Sequence, residues 1–85
     1  MQEIEGIIKR IIANILCLKT EEVTLRASIV EDLGADSLDE MEIATVIKDE
    51  FGIEITDNDV EEIETVQNVI DYVKKRLSEI EIMHH

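Results

Sequence analysis

The sequence lacks proline and tryptophan, and it contains one cysteine, three glycines, one phenylalanine and one tyrosine among 85 residues. The lone cysteine, Cys17, excludes a disulfide within the chain and agrees with a reducing compartment. Because Cys17 lies near the end of a helical pattern, we expect it to be a small packing residue. No stretch of about eighteen apolar residues is present, so no membrane insertion is predicted. The acidic N-terminus lacks the basic-then-apolar order of a signal peptide, and a cytoplasmic location is expected.

Basic residues are scarce in this chain. Lysine and arginine number 8 against 21 aspartates and glutamates, which gives a formal net charge of −13. Such a chain repels nucleic acids and anionic membranes, and it attracts basic patches on other proteins. The same charge favours a monomer. Because the hydrophobic fraction of 45% is ordinary for a folded protein, the acidity does not indicate disorder.

The length predicts one small domain, over residues 1–80, followed by a tail over residues 81–85. Two histidines alone, His84 and His85, make a poor metal site, and a fragment of a purification tag explains them at least as well. The acidic run that starts at Asp57 is not an EF-hand loop, since its sixth and twelfth positions are Glu62 and Asn68 instead of glycine and glutamate. We predict no metal site, and weak divalent-cation binding to clustered carboxylates stays open.

Apolar residues recur at helical spacing and predict an all-α fold, a small four-helix bundle with three longer helices and one short third helix. A long loop separates the first two helices, and its apolar residues should pin it to the core. The basic run Lys74–Arg76 is expected near the negative end of the last helix. The first helix is predicted from Gln2 to Cys17, with Glu3 and Glu5 at its start. The loop runs from Leu18 to Ala35, with single turns begun by Thr20 and Ser28, and the residues that pin it are Val23, Leu25, Ile29 and Leu33. The later elements are a second helix from Ser37 to Phe51 ended by Gly52, a short helix from Thr56 to about Glu62, and a final helix begun by Thr65.

The second helix begins with a capping signal around a serine. Asp36 is a typical N-cap, and Asp39 stands three residues on, which is the spacing of a capping box. Ser37 therefore falls in the first turn, where unpaired N–H groups and the positive end of the helix dipole favour a phosphate. The apolar residues that follow, predicted to share one helix face, are Met41, Ala44, Ile47 and Phe51.

The segment Leu33-Gly34-Ala35-Asp36-Ser37-Leu38-Asp39 resembles the phosphopantetheine attachment motif of acyl carrier proteins. Further matches lie at residues 51–55, 65–67 and 70–73, and the order of helices agrees over nearly the whole chain. The resemblance implies that Ser37 accepts 4′-phosphopantetheine from coenzyme A through a separate synthase, with Asp36 and Leu38 beside it in the cofactor-binding motif. The thiol of that arm would hold growing acyl chains as thioesters, here those of fatty acid synthesis.

No catalytic constellation accompanies Ser37. No histidine stands before His84 to act as a base, and there is no Gly-x-Ser-x-Gly motif. The chain is therefore predicted to be a substrate shuttle and not an enzyme, with no catalytic residue of its own.

The acidic side of the second helix has two interpretations. Charge runs are usually solvated surface, but apolar residues inside a polar rim tend to mark interfaces. We favour a docking surface whose carboxylates steer basic patches on the phosphopantetheinyl transferase and on the enzymes of fatty acid synthesis, with apolar side chains giving short-range contacts. The residues assigned to it are Asp36, Asp39, Met41, Glu42, Val46 and Asp49.

The core has an interpretation beyond packing. The resemblance implies that an aliphatic bundle of this kind parts to admit an acyl chain, although the same residues could simply pack. The predicted lining of this acyl pocket is Leu33, Ala44, Ile47, Ile63 and Val69.

Other functions stay open beside this one. The chain could carry polyketide or other specialised acyl groups, or it could be an interaction subunit that keeps the carrier fold without shuttling a substrate. A calcium-binding helical protein is disfavoured by the failed loop.

Overall fold

The computed structural model describes the backbone of residues 4–83 and the side chains of residues 4–80. Its elements, in chain order, are α1 (Ile4–Leu16), a single 3-10 turn (Thr20–Glu22), α2 (Ser37–Phe51), α3 (Asp57–Glu62) and α4 (Val66–Met83). Within residues 4–83 the β-type pairing is limited to one isolated bridge, between Ser28 and Thr65. The all-α prediction, with its short third helix and long first loop, is confirmed.

Some predictions fall at the ends of the chain. The start of the first helix at Gln2, with Glu3 beside it, and the pair His84 and His85 lie outside the described residues. The division into a domain over residues 1–80 and a tail over 81–85 stays a prediction. Among the helices described, none is long and apolar enough to cross a membrane.

The core consists of isoleucine, valine and alanine side chains. α1, α2 and α4 each turn an apolar stripe inward, as helical spacing predicts. Phe51 and Tyr72 are half-buried at its edge, so no aromatic ring fills its centre. The buried residues are Ile8, Ile12, Ala13, Val23, Ala27, Ile29, Ala35, Ile43, Ile47, Ile53, Val66, Val69, Ile70 and Val73.

The loop between α1 and α2 is tied to the junction between α3 and α4. The backbone N–H of Ile29 donates to the carbonyl of Glu64 (2.9 Å), and the N–H of Val66 donates to the carbonyl of Ala27 (3.1 Å). Val23 and Ile29 are buried, and Leu25 and Leu33 pack against the same cluster. The prediction that apolar residues pin this loop is confirmed.

The 3-10 turn begins differently from the prediction. Thr20 lies inside the turn and does not cap it. The cap is Lys19, whose backbone N–H donates to the Glu22 carboxylate at 2.8 Å. The prediction for Ser28 is confirmed, since its hydroxyl oxygen accepts from the N–H of Glu31 at 3.1 Å.

The end of α1 contains a cysteine in an unusual conformation. Cys17 has a φ of 58°, in the left-handed region that favours glycine. The Leu18 N–H donates to the Ala13 carbonyl (2.8 Å) and the Cys17 N–H to the Asn14 carbonyl (3.4 Å), the pair of bonds that defines a Schellman motif. The side chain of Cys17 is exposed, so the prediction of a packing residue is wrong.

α4 is longer than its basic run suggests. It continues to Met83, with no basic residue in its last turn, so Lys74–Arg76 lies in the middle of the helix. The prediction that placed this run near the negative end is wrong. The reason is that Leu77 and Ile80 continue the apolar stripe against the core, and neither glycine nor proline intervenes to end the helix.

Candidate functional site

A reciprocal capping box positions Ser37 at the start of α2. The Asp39 N–H donates to the Asp36 carboxylate at 2.9 Å, and the Asp36 N–H donates to the Asp39 carboxylate at 3.2 Å. Ser37 is the first helical residue and is exposed. The predicted capping box is confirmed, and it presents the hydroxyl to solvent with the two carboxylates turned toward backbone N–H groups.

The chain makes a tight turn over residues 29–35, just before Ser37. Gly34 has a φ of 77°, a conformation that costs an L-residue roughly 1–2 kcal/mol. Its N–H donates to the Val30 carbonyl (3.1 Å), and the Ala35 N–H donates to the Ile29 carbonyl (3.0 Å). Because Ile29 is itself tied to Glu64, the approach to Ser37 is anchored to the far side of the bundle.

The residues predicted to dock partners are spread over the outer surface of α2. Asp36, Glu42 and Asp49 are exposed and Asp39 is half-buried. On an ideal helix, the five helical members of the set and Leu38 fall within about 160° of arc. Three large apolar side chains lie in this arc with much of their surface in solvent: Leu38 (75% exposed), Met41 (62%) and Val46 (37%). The structure therefore brings the acidic and apolar members together on one side of α2.

Met41 was also predicted to share one helix face with Ala44, Ile47 and Phe51, but its exposure places it on the outer side of α2. Ile43 and Ile47 form the buried face of α2. Residues advance about 100° around a helix, so Ile43 lies about 40° from Ile47, whereas Met41 lies about 120° away.

A small apolar cavity lies between α2, α3 and α4. Its volume is about 30 Å³, room for about one water molecule, and its lining residues are aliphatic except for Glu40 and Tyr72. Four residues of the predicted acyl pocket line it, namely Ala44, Ile47, Ile63 and Val69. Leu33 is not among the lining residues, because the loop reaches the cavity through Ile29 instead.

Glu40 lines the cavity but was not among the residues predicted for the acyl pocket. It stands one turn after Ser37 on the same helix face, about 4.5 Å further along the axis. It lines the cavity and also a larger polar groove outside it, where Glu31, Glu61 and Glu64 add further carboxylates. The spacing of three residues from Ser37 is the signal that could have identified it.

Tyr72 and Asp59 form a second contact that the sequence did not reveal. The Tyr72 hydroxyl lies 2.6 Å from Oδ2 of Asp59 and 3.0 Å from the carbonyl oxygen of Glu54. The hydrogen bond from Tyr72, followed by those from Thr56, holds the pKa of Asp59 below its ordinary value. Burial, followed by the hydrogen bond to Asp59, raises the pKa of Tyr72 to about 12, with Arg76 and Glu79 as the other charged groups nearby. The contact fastens the start of α3 to α4 beside the cavity.

The described part of the chain holds no group of three histidine, cysteine, aspartate or glutamate side chains that could bind a metal ion. The carboxylate of Asp59, which lies in the acidic run that begins at Asp57, accepts hydrogen bonds from Thr56 and Tyr72.

Comparison with known proteins identifies the relatives of this chain. The family model described as "Phosphopantetheine attachment site" matches residues 6–73. The acyl carrier protein from Enterococcus faecalis is 38% identical, with a TM-score of 0.74 over 86% of this chain and 92% of that one. The apo doublet acyl carrier protein from prodigiosin biosynthesis shares the fold, with a TM-score of 0.76 at 23% identity, over 86% of this chain and 35% of that one.

Proposed function

This chain belongs to the acyl carrier protein family, and we propose that Ser37 is its attachment residue and that the cargo is the growing acyl chain of fatty acid synthesis. Members of the family are carriers and not enzymes, and 4′-phosphopantetheine is their covalent prosthetic group. The observation that carries the proposal is the exposed Ser37 hydroxyl at the first position of α2, held there by the capping box of Asp36 and Asp39.

The residues around Ser37 fit a phosphodiester. The first N–H groups of a helix have no partner within it. The capping box occupies the N–H of Asp39, and the N–H of Glu40 donates to the Asp36 carbonyl. The N–H groups of Ser37 and Leu38 are therefore the ones left to bond a phosphate on the serine. When bound, the group supplies a flexible arm with a terminal thiol that holds an acyl chain as a thioester. The part of Ser37 is to offer an accessible oxygen, whose proton leaves to a base of the transferase.

The cavity supports an aliphatic cargo. Glu40, one turn from Ser37, lines it together with apolar side chains of α2, α3 and α4. Such a wall pairs with a saturated chain and leaves a hydroxyl or keto group of a specialised acyl chain without a partner, which is costly. This difference favours fatty acid synthesis over polyketide chemistry.

The outer side of α2 supports docking to basic partners. Glu42 and Asp49 lie among Leu38, Met41 and Val46, all of them exposed. Acidic residues at a rim raise the rate of encounter with a basic patch, and exposed apolar residues inside the rim hold the complex once it forms. We expect the phosphopantetheinyl transferase and the enzymes of fatty acid synthesis to bind here.

The attachment test uses coenzyme A, magnesium and a broad-specificity phosphopantetheinyl transferase, with intact mass as the readout. We expect a gain of one phosphopantetheine unit for the natural chain and for Ser28→Ala, a serine outside α2, and no gain for Ser37→Ala. No gain on the folded natural chain, with a known carrier modified in parallel, would refute the assignment and favour an interaction subunit that keeps the fold.

The docking test compares two charge reversals. Glu42→Lys should slow modification by the transferase roughly threefold to tenfold at low salt, and less at high salt, because steering is screened. Glu21→Lys changes the net charge equally but lies on the 3-10 turn, and it should have a smaller effect. Equal effects of the two variants would show that net charge, and not the α2 surface, controls the encounter.

The cargo test loads the holo chain with saturated acyl groups and with keto-bearing groups of equal length. Amide and methyl chemical shifts of the cavity residues should move for the saturated series and stay near the holo values for the keto series. The reverse result would favour the specialised carrier.

A further inference from the structure

α3 is the least anchored wall of the cavity. None of its six residues is buried, yet it contributes Val60 to the lining, and Ile63 follows directly after it. The opposite walls are formed by α2 and α4, whose Ile47 and Val73 are fully enclosed. A cavity of about 30 Å³ must expand to take a chain of several carbons. Because α3 has no buried residue, displacing it should expose the least apolar surface, and we expect it to be the wall that yields.

The junction that follows α3 is held through its own backbone groups, which bond to the first loop and to the Asn68 side chain. The Glu64 carbonyl accepts the Ile29 N–H at 2.9 Å. The side-chain oxygen of Asn68 accepts the N–H groups of Glu64 (3.2 Å) and Thr65 (3.0 Å). These bonds fasten residues 64 and 65 to the first loop and to α4, and they make this junction the pivot of any displacement.

The N-terminal end of α3 is held by one side chain of α4. The Tyr72 hydroxyl reaches the Asp59 carboxylate and the Glu54 carbonyl, and its shorter bond is to the carboxylate. Asp59 and Thr56 also exchange hydrogen bonds, through the Thr56 N–H (3.3 Å) and the Asp59 N–H (3.2 Å). That capping pair moves with α3, whereas the contact with Tyr72 must break when this end of α3 leaves α4.

We propose that the Tyr72–Asp59 hydrogen bond sets the shortest acyl chain that the cavity takes up, which makes both residues determinants of cargo length. The inference rests on the proposed function. Each methylene moved out of water favours uptake roughly fourfold, so a chain must reach a certain length before its burial outweighs the broken bond. A hydrogen bond to a carboxylate is worth roughly tenfold in an equilibrium constant. Removing it should therefore lower the threshold by about two carbons.

The first arm of the test uses the apo chain and needs no acyl group. Amide hydrogen exchange is measured at Val60 and Ile63, whose N–H groups bond within α3 and at its end. Tyr72→Phe removes the bond and should raise exchange there by roughly tenfold, while leaving α1 unchanged. Asp59→Asn keeps an acceptor oxygen without the charge and should raise exchange by a smaller factor. Asp57→Asn removes a neighbouring first-turn carboxylate that does not contact Tyr72, and it should stay within about twofold of the natural chain.

The second arm uses the same four proteins with saturated chains on Ser37, lengthened two carbons at a time. Methyl shifts of Ile47 and Val69 report uptake, and far-UV circular dichroism verifies folding. In Tyr72→Phe, uptake should begin about one two-carbon step earlier, and in Asp59→Asn the threshold should shift in the same direction by no more than that step. If Ser37 loads normally and all four proteins share one threshold, the hydrogen bond does not set cargo length and the carrier function stands. If Ser37 does not load on folded protein, both the carrier assignment and the inference built on it fail, while the exchange arm still measures whether the bond restrains α3.

Discussion

The left-handed cysteine at the end of α1 predicts that Cys17→Gly stabilises the protein. The φ of 58° at Cys17 costs an L-residue roughly 1–2 kcal/mol. Glycine removes that cost but adds roughly 0.4–1 kcal/mol of unfolded-state freedom. Because the Cys17 side chain is exposed, little packing is lost. The net gain in the free energy of unfolding should be about 0.5–1 kcal/mol, which for a chain of this size raises Tm by about 2–8 °C.

The assay is urea and thermal unfolding under reducing conditions, with Cys17→Ala as the matched control. Alanine removes the thiol but keeps a Cβ in the left-handed conformation, so Cys17→Ala should stay within about 0.5 kcal/mol of the natural chain. The urea m-value should be the same in all three proteins, because the surface exposed on unfolding does not change. If the glycine variant is no more stable than the alanine variant, the strain assigned to Cys17 is absent.

Three further predictions concern the alkaline limb of stability, its acid limb and the glycines. The folded-state pKa of Tyr72 is raised from 10.0 to about 12. Its neutral hydroxyl therefore contributes stability that is fully present below pH 10 and is lost as the pH rises from 10 to 12. Chemical denaturation across that range should show that the free energy of unfolding falls less steeply with pH in Tyr72→Phe than in the natural chain. The pKa of Asp59 is lowered from 3.8, so its contribution is present above that pH and lost below it, and Asp59→Asn should flatten the acid limb. Both glycines have open space around them, so only the backbone separates them. Gly52→Ala should destabilise by about 1 kcal/mol, because the φ of Gly52 is 66° and that conformation disfavours an L-residue. Gly6→Ala, at an ordinary helical position of α1, should stabilise by about 0.5 kcal/mol; equal thermal shifts for the two would contradict the backbone argument.

The parts of the fold that sequence reasoning predicted well are those set by local chemistry. The capping boxes at Asp36 and Thr56, the glycine stop at Gly52 and the start of α4 after Thr65 each depend on hydrogen bonds within a few residues. At Asp36, Thr56 and Thr65 a short polar side chain at the correct spacing is enough to form them, and at Gly52 the glycine adopts the left-handed conformation that ends the helix.

The errors arose where the local pattern has more than one reading. Met41, Ala44 and Ile47 stand three residues apart, and a step of three falls about 60° short of a full turn, so the first member of the series drifts off the buried face. At Cys17 the backbone adopts the left-handed turn that glycine usually marks, and without a glycine there the sequence gives no sign of it.

The cavity wall and its fastening depend on contacts between distant residues. Tyr72 and Asp59 are 13 positions apart on different helices, and the loop reaches the cavity through Ile29, not Leu33. Helical periodicity identifies which side of an element is apolar, but it does not say which residue of a facing element meets it.

On α2 the residues proposed for docking and the residues buried in the core are different side chains. The helix buries only Ile43 and Ile47, while Leu38, Met41 and Val46 remain exposed to solvent. α2 therefore contributes fewer buried side chains to the core than its number of apolar residues would allow. α1, α4 and the first loop supply most of the buried residues. Substitutions on the outer side of α2 should therefore alter partner binding with little effect on Tm, whereas loss of Ile47 should lower Tm and enlarge the cavity at once, since the same side chain fills the core and lines the proposed cargo site. Measuring partner affinity and Tm in Val46→Ser and Ile47→Ala would test this division: a comparable drop in Tm for both would mean that the exposed side of α2 is needed for folding.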